Sequence, residues 1–335
     1  MRIAVDAMGG DYAPAAIVAG AVEAAAGLDR VSKVILVGDK DAIYREIGGS
    51  AAVPPKVEVR HASEVIEMAE APALAVRKKK DSSISRAVDM VKHGEADAVV
   101  SAGNTGAVVV AASIKLRTLE GVQRPAIATV MPTSGKPFVL IDAGANIDTD
   151  ARLLAQFATM GNVYSREILR NARPVVGLLS IGEEDTKGNE VTREAFGLLS
   201  GSGLNFRGNV EGHDLFEGEM DVVVCDGFVG NVVLKTSESV ATAVAAILKR
   251  EFTATLLRKT GALFLYGAIR NLKRRLDPEM YGGAPLLGVN GVCIITHGAS
   301  SKKAIFHAIR VACKAIDHKV NHQIVDELKK NGFSQ

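Results

Sequence analysis

Short runs of β-branched and apolar residues, each closed by a Gly, Asn or Asp cluster, alternate with Ala-rich or amphipathic segments along most of the chain. That alternation predicts strands laid parallel and joined by helical crossovers. Strands are expected at Arg2 to Asp6, Lys33 to Val37, Val57 to His61, Ala98 to Ser101, Ala126 to Met131 and Phe138 to Asp142. Val175 to Ile181, Asn205 to Val210, Asp221 to Cys225 and Val292 to Thr296 continue the series. Most are apolar at nearly every position, the pattern of a sheet covered on both faces. Between them, Pro14 to Ala26 opens a helix on a proline whose missing N–H costs nothing there, and Ser237 to Arg250 reads as a long helix. The fold class is α/β. At 335 residues the chain exceeds what one core usually holds, so two lobes around a cleft are expected within a single domain. A long helical pattern ends at Asn171-Ala172-Arg173-Pro174, which places a soft lobe boundary near residue 170.

Charge changes the picture locally. The chain carries +2 in total, which argues against nucleic acid as a partner. Between Lys249 and Arg275, however, eight cations face the single acid Glu251, a local +7 that leaves −5 for the remainder. Leu256, Leu257, Leu263, Phe264, Leu265, Ile269 and Leu272 interleave with those cations at helical spacing, so 249–276 is a basic amphipathic segment. Three roles fit it: a dimer or core helix pair, a docking surface for an acidic protein, and an anchor on a membrane surface. The three cysteines, Cys225, Cys293 and Cys313, are odd in number and far apart, which speaks against a disulfide framework and for a reducing compartment. No apolar run reaches the roughly 18 residues of a spanning helix, and Met1 leads straight into a strand. A cytoplasmic protein, or one lying on a membrane without crossing it, is expected.

Ligands of open parallel sheets bind where strands end and helix N-termini present unpaired N–H groups. The loops at those ends repeatedly pair glycine with a small amide, hydroxyl or charged side chain. They are Asp6 to Asp11, Ser101 to Ala107, Asp142 to Asn146, Ile181 to Asn189, Asp226 to Asn231 and His297 to Ser300. One such pair is ordinarily a turn; six after strands of one sheet suggest a shared oxyanion nest on one rim. Lys187 stands in a Gly-bounded loop behind three acids, either as a site cation or as a solvated lysine paired with Glu183 or Glu184. Asn231 and Lys235 share a helix face near its N-terminus, although Asn231 also fits a cap. His297 follows a strand, as an acid or base would, or as a structural histidine would. Cys225 reads as a buried small hydrophobe, with no base to activate it. Nucleotide fingerprints, the G-x-S-x-G elbow and metal-ligand clusters are absent from the sequence, so no cofactor and no metal are expected.

Several of these stretches together resemble the PlsX-type phosphate acyltransferase family. The likeness is carried by Asp6-Ala7-Met8-Gly9-Gly10-Asp11, Ser101 to Ala107, Asp142 to Asn146, Leu178 to Glu184, Asn205 to Gly212, Asp226 to Lys235, Tyr281 to Gly288 and His297 to Ser300. It spans nearly the whole chain. Met280, and Ser85-Arg86 after Asp81-Ser82-Ser83, depart from the family pattern outside the candidate loops. The resemblance implies a three-layer α/β/α, Rossmann-like fold shared with isocitrate and isopropylmalate dehydrogenases and with phosphotransacetylases, and a homodimer. It implies reversible formation of acyl phosphate from long-chain acyl-acyl carrier protein and inorganic phosphate, an early step of bacterial phospholipid synthesis. The product would pass to a membrane glycerol-3-phosphate acyltransferase, with the enzyme in the cytoplasm and peripherally on the membrane.

Such a reaction asks for phosphate held and desolvated beside a thioester carbonyl, with the developing oxyanion stabilised. The expected catalytic residues are Lys187, to neutralise charge, Asn231, to orient phosphate and carbonyl, Asp142, to place a donor or take a proton, and His297, to protonate the leaving thiolate. Gly103, Asn104, Thr105, Gly106, Gly144, Asn146, Gly230 and Lys235 would bind phosphate or substrate. Arg250, Arg258, Leu263, Phe264, Arg270, Lys273 and Arg274 would meet carrier protein or membrane. Three rivals remain: a short-chain phosphotransacetylase using coenzyme A, a dehydrogenase on the same fold, and a non-catalytic scaffold bringing carrier protein to the membrane.

Overall fold

The structure is a computed structural model that describes residues 1–275 and 278–334. Its strands are β1 (Arg2–Asp6), β2 (Lys33–Gly38), β3 (Val57–His61), β4 (Ala98–Ser101), β5 (Ala126–Met131) and β6 (Phe138–Ile141). They continue as β7 (Val175–Leu179), β8 (Asn205–Val210), β9 (Val222–Val224), β10 (Ala284–Leu287) and β11 (Val292–Ile295). Helices α1 (Ala15–Gly27), α2 (Lys40–Ile47), α3 (Pro72–Lys78), α4 (Ser83–Lys92), α5 (Thr105–Lys115) and α6 (Ala151–Ile168) belong to the first half of the chain. The second half adds α7 (Glu190–Ser200), α8 (Gly227–Thr253), α9 (Leu256–Phe264), α10 (Tyr266–Arg275), α11 (Lys302–Asp317) and α12 (Val320–Lys330).

All eleven strands join one sheet in the order β3-β2-β1-β4-β11-β10-β5-β6-β9-β7-β8. Helices cover both faces, as the near-continuous apolar strands require. Ile3, Val5 and Val100 pack with α1 and α11, whereas Ala4 and Val99 pack with α4 and α5. On the other half, Val139, Ile141 and Val176 bury against α6, of which Phe157, Met160 and Tyr164 are among the most enclosed side chains.

One expectation changes here. The sheet is mixed, because β10 runs antiparallel to β11 and to β5, and β5 runs antiparallel to β6. These three reversals turn the parallel set β6-β9-β7-β8 against the parallel set β3-β2-β1-β4-β11, so their carboxyl ends leave from opposite rims. In the sheet, β1 to β4 with β11 stand at one end, β6 to β9 at the other, and β10 and β5 between them. Position in the chain shows where strands lie but not which ones pair.

α8 is the outlying element. Only its first turns touch the body: Gly227 and Gly230 are buried and Leu234 is half-buried, but every residue from Ser239 to Glu251 is exposed. At 1.5 Å per residue it is about 40 Å long, and it carries α9 at its far end, where Leu257, Leu263 and Phe264 are 82%, 75% and 92% exposed. Contrary to the sequence expectation, Gly227–Thr253 is long and apolar enough by length and composition to cross a membrane. Arg250, Arg258 and Arg270 are exposed on this arm, while the side chains of Lys273 and Arg274 lie outside the described residues.

Candidate active site

The adjacent strands β6, β9 and β7 end side by side, with Ile141, Val224 and Leu178 in register. After β6 the chain turns sharply around Asp142. Its carboxylate accepts hydrogen bonds from the backbone N–H groups of Ile127 (3.0 Å), Gly144 (3.1 Å), Ala145 (3.0 Å) and Asn146 (2.7 Å), and from the Asn146 side-chain amide (2.9 Å). Burial pushes this carboxyl upward, against the pull of those donors. With every lone-pair direction engaged, Asp142 builds the loop and has no capacity left to take a substrate proton. The Asn146 amide nitrogen is likewise engaged, donating to Asp142 and to the Pro125 carbonyl (2.8 Å).

What the loop presents is Gly144, and over it lies the exposed Asn231. A β-carbon on Gly144 would sit 3.4 Å from that of Asn231. The contact exists because α8 enters tight against the turn. The Gly227 N–H donates to the Asn146 carbonyl (2.7 Å), and a β-carbon on Gly230 would lie 1.9 Å from the Asp142 carbonyl oxygen, so only glycine fits. Asp226, not Asn231, caps α8 by accepting from the Val229 N–H (2.8 Å). The Asn231 amide is therefore free of the capping role. Lys235, one turn on, pairs with Glu238 at 2.9 Å.

Lys187 occupies the loop after β7, next to β9 on the same rim. Its stem lies across Gly182, where a β-carbon would come within 2.7 Å of the Lys187 Cγ. Its ammonium is 3.9 Å from Glu184 and the side chain is about half exposed, a loose pair that a phosphate dianion would readily outcompete.

The opposite rim gathers the ends of β1, β4 and β11. Asp6 is fully buried and accepts from the Ser101 hydroxyl (2.7 Å) and the Met8 N–H (3.2 Å), while Ser101 accepts from the Gly103 N–H (3.1 Å). Burial raises the Asp6 carboxyl, opposed by bonds from Ser83, Ser101 and the turn backbone. Asn104 caps α5 by accepting from the Ala107 N–H (3.0 Å), and its amide donates to the carbonyls of Glu67, Met68 and Glu70. Thr105 and Gly106 stand in the first turn of α5. His297 is exposed, and its Nδ1 accepts from the Ala299 N–H (3.1 Å).

The structure thus unites Asp142, Gly144, Asn146, Gly230, Asn231, Lys235 and Lys187 on one rim. It puts Gly103, Asn104, Thr105, Gly106 and His297 on the other, so the expected single nest divides in two. Three amide or carboxyl side chains with expected substrate roles, Asn104, Asn146 and Asp142, are instead consumed in holding backbone. Sequence reasoning placed Asp6 in a candidate loop without a role of its own and gave Asn209 no role. A signal for the first was present: β1 and β6 both run into Asp-Ala followed by a glycine turn, and both carboxylates are buried organisers. The cysteines are buried; burial raises Cys225 and pushes Cys293 up to about 12 and Cys313 to about 11.

Solved structures that share this fold include phosphotransacylases. The chain matches a phosphotransacetylase from Streptococcus pyogenes with a TM-score of 0.61 at 20% identity, covering 95% of this chain and 94% of that one. A branched-chain phosphotransacylase from Enterococcus faecalis matches with a TM-score of 0.57 at 15% identity, over 94% and 99% of the two chains. At such identities the likeness concerns fold alone. A family model described as fatty acid synthesis protein matches residues 1–323. Relatives named phosphate acyltransferase are 52% identical over 97% of this chain and 94% of theirs in Pelotomaculum thermopropionicum, and 51% identical over 98% of both in Desulfitobacterium hafniense. The chain belongs to this phosphate acyltransferase family and is an acyl-transferring enzyme of fatty acid synthesis.

Proposed function

We propose that the enzyme forms acyl phosphate from long-chain acyl-acyl carrier protein and inorganic phosphate, reversibly, for phospholipid synthesis, at the rim shared by β6, β9 and β7. The observation that carries the site is the exposed Asn231 amide resting over Gly144, with Lys187 on the neighbouring strand end. A phosphate oxygen attacks the thioester carbonyl carbon, the carbon–sulfur bond breaks, and the carrier leaves as thiolate to be protonated by solvent. Phosphate is already a nucleophile at neutral pH, so no general base is needed; Lys187 offsets its charge and Asn231 orients it. His297, on the other rim, has no part in this step.

The arm completes the reading. The exposed Arg250, Arg258 and Arg270 suit an acidic carrier protein. Val240, Val244, Ile247 and Leu248 form an uncovered stripe with three- and four-residue spacing, which supports a homodimer through α8, and the apolar α9 tip suits the inner surface of a membrane holding the glycerol-3-phosphate acyltransferase that takes the product.

Purified enzyme incubated with palmitoyl-acyl carrier protein and phosphate should yield hydroxylamine-sensitive acyl phosphate; activity confined to acetyl-coenzyme A would reject the donor. Raising salt from 50 to 200 mM should slow carrier association by roughly an order of magnitude, with little change in maximal turnover. A salt-insensitive on-rate would remove the docking face. Co-sedimentation with anionic vesicles should be lost in a Leu263→Asp, Phe264→Asp enzyme that keeps its activity in solution, and retained binding would move the membrane contact elsewhere.

A further inference from the structure

Asn209 lies in a stretch that the proposed chemistry leaves without a role, Asn205 to Gly212. β8 pairs with β7 in register at Val176 and Phe206, then skips Arg207 so that Gly177 meets Gly208 and Leu178 meets Asn209. Arg207 is thus the extra residue of a β-bulge, and Gly208 supplies the positive φ of 122° that lets the strand resume. One inserted residue reverses which face every later side chain takes. Without it Asn209 would align with Leu179; with it, Asn209 shares the face of Leu178 and reaches the loop that follows β7.

There its side-chain amide donates to the Glu184 carbonyl at 2.7 Å. The same carbonyl accepts from the Lys187 N–H at 3.0 Å, closing the turn that carries the lysine. Glu183 to Lys187 are all exposed, and among the described residues this bond is the side-chain hydrogen bond that ties the loop to the sheet. Asn209 itself is 7% exposed, and its Oδ1 has no partner among the described residues, so the donor half is the working half.

We infer that Asn209, aimed by the bulge at Arg207-Gly208, is a positioning residue that holds the Glu184–Lys187 turn so that the ammonium reaches the phosphate. This rests on Lys187 being the cation that meets phosphate. The prediction is a coupling. Asn209→Ala should raise the phosphate KM about tenfold while leaving the KM for the acyl donor unchanged. In a Lys187→Ala background the same substitution should add little further loss, because the element it positions is gone.

Acyl phosphate formation is measured for the wild type, both single variants and the double variant, with thermal melting as the check on folding. Asn209→Ser serves the same cycle if the alanine variant does not fold, since the shorter side chain also loses the carbonyl. Equal losses in both backgrounds, or a donor KM that rises in step, would reduce Asn209 to a stability residue and overturn the inference. A large loss in Lys187→Ala beside an unchanged Asn209→Ala enzyme also overturns it while sparing the role of Lys187. Undiminished turnover in Lys187→Ala removes the lysine reading and the inference with it.

Discussion

Lys187→Ala is expected to cut phosphate-dependent turnover by roughly 10²- to 10³-fold, the loss usual when one preorganised charge-stabilising group is removed. That corresponds to about 3 to 4 kcal/mol of transition-state stabilisation. The effect should be large because two anions must approach: phosphate carries negative charge into the encounter, and the carbonyl oxygen gains more as the tetrahedral centre forms. The only competition for the ammonium within the loop is a 3.9 Å pair with an exposed Glu184, so its charge is available to the ligand. Thermal stability should change little, since the side chain is about half exposed and its stem lies across Gly182 at the surface. Lys187→Arg should recover part of the activity, because the charge returns with a wider head. The measurement is the initial rate of acyl phosphate formation over a phosphate series. A variant as fast as the wild type at saturating and limiting phosphate would show that the cation meets solvent only.

How far the sequence reveals this arrangement depends on whether local chemistry or pairing decides it. β2 is legible because Lys33-Val-Ile-Leu-Val-Gly38 has no other stable fate than a buried strand. β10 is illegible for the opposite reason. Gly282 and Gly283 precede it, Gly288 follows it and Pro285 interrupts it, so Ala284 to Leu287 reads as a loop. It is a strand only because β11 and β5 are there to receive it. Ala284 and Pro285 pair with β11 and Leu286 and Leu287 with β5, so proline falls before the ladder to β5 begins and its missing N–H breaks no bond there. Missing this strand meant missing the reversals, and hence the division of the candidate loops between two rims. The same limit applies to the amides. Sequence shows that Asn104, Asn146 and Asn231 each lie within two residues of a glycine, but only packing shows that two of them turn inward to carbonyls while the third stays exposed.

Asp142→Ala is expected to damage the fold rather than the chemistry. Five N–H donors converge on this carboxylate from Ile127, Gly144, Ala145 and Asn146, the last through both backbone and side chain. Deleting it strands them in a site where the carboxylate is wholly buried, and each buried donor left unpaired costs about 1 to 3 kcal/mol. Water entering the partly open side of the turn recovers some of this, so a net loss of about 3 to 5 kcal/mol is expected. That is a large share of a typical stability of about 5 to 15 kcal/mol. Asp142→Asn should fare little better, since its amide must turn a donor towards Asn146, which already offers two. The alternative is that Asp142 takes a proton during turnover. An asparagine variant would then keep wild-type stability in urea, lose nearly all activity, and lose the acid limb of the pH–rate profile. The expected result is the reverse: a lowered denaturation midpoint, with the surviving folded enzyme keeping the wild-type pH dependence, because the loop needs this carboxylate to place Gly144 beneath Asn231.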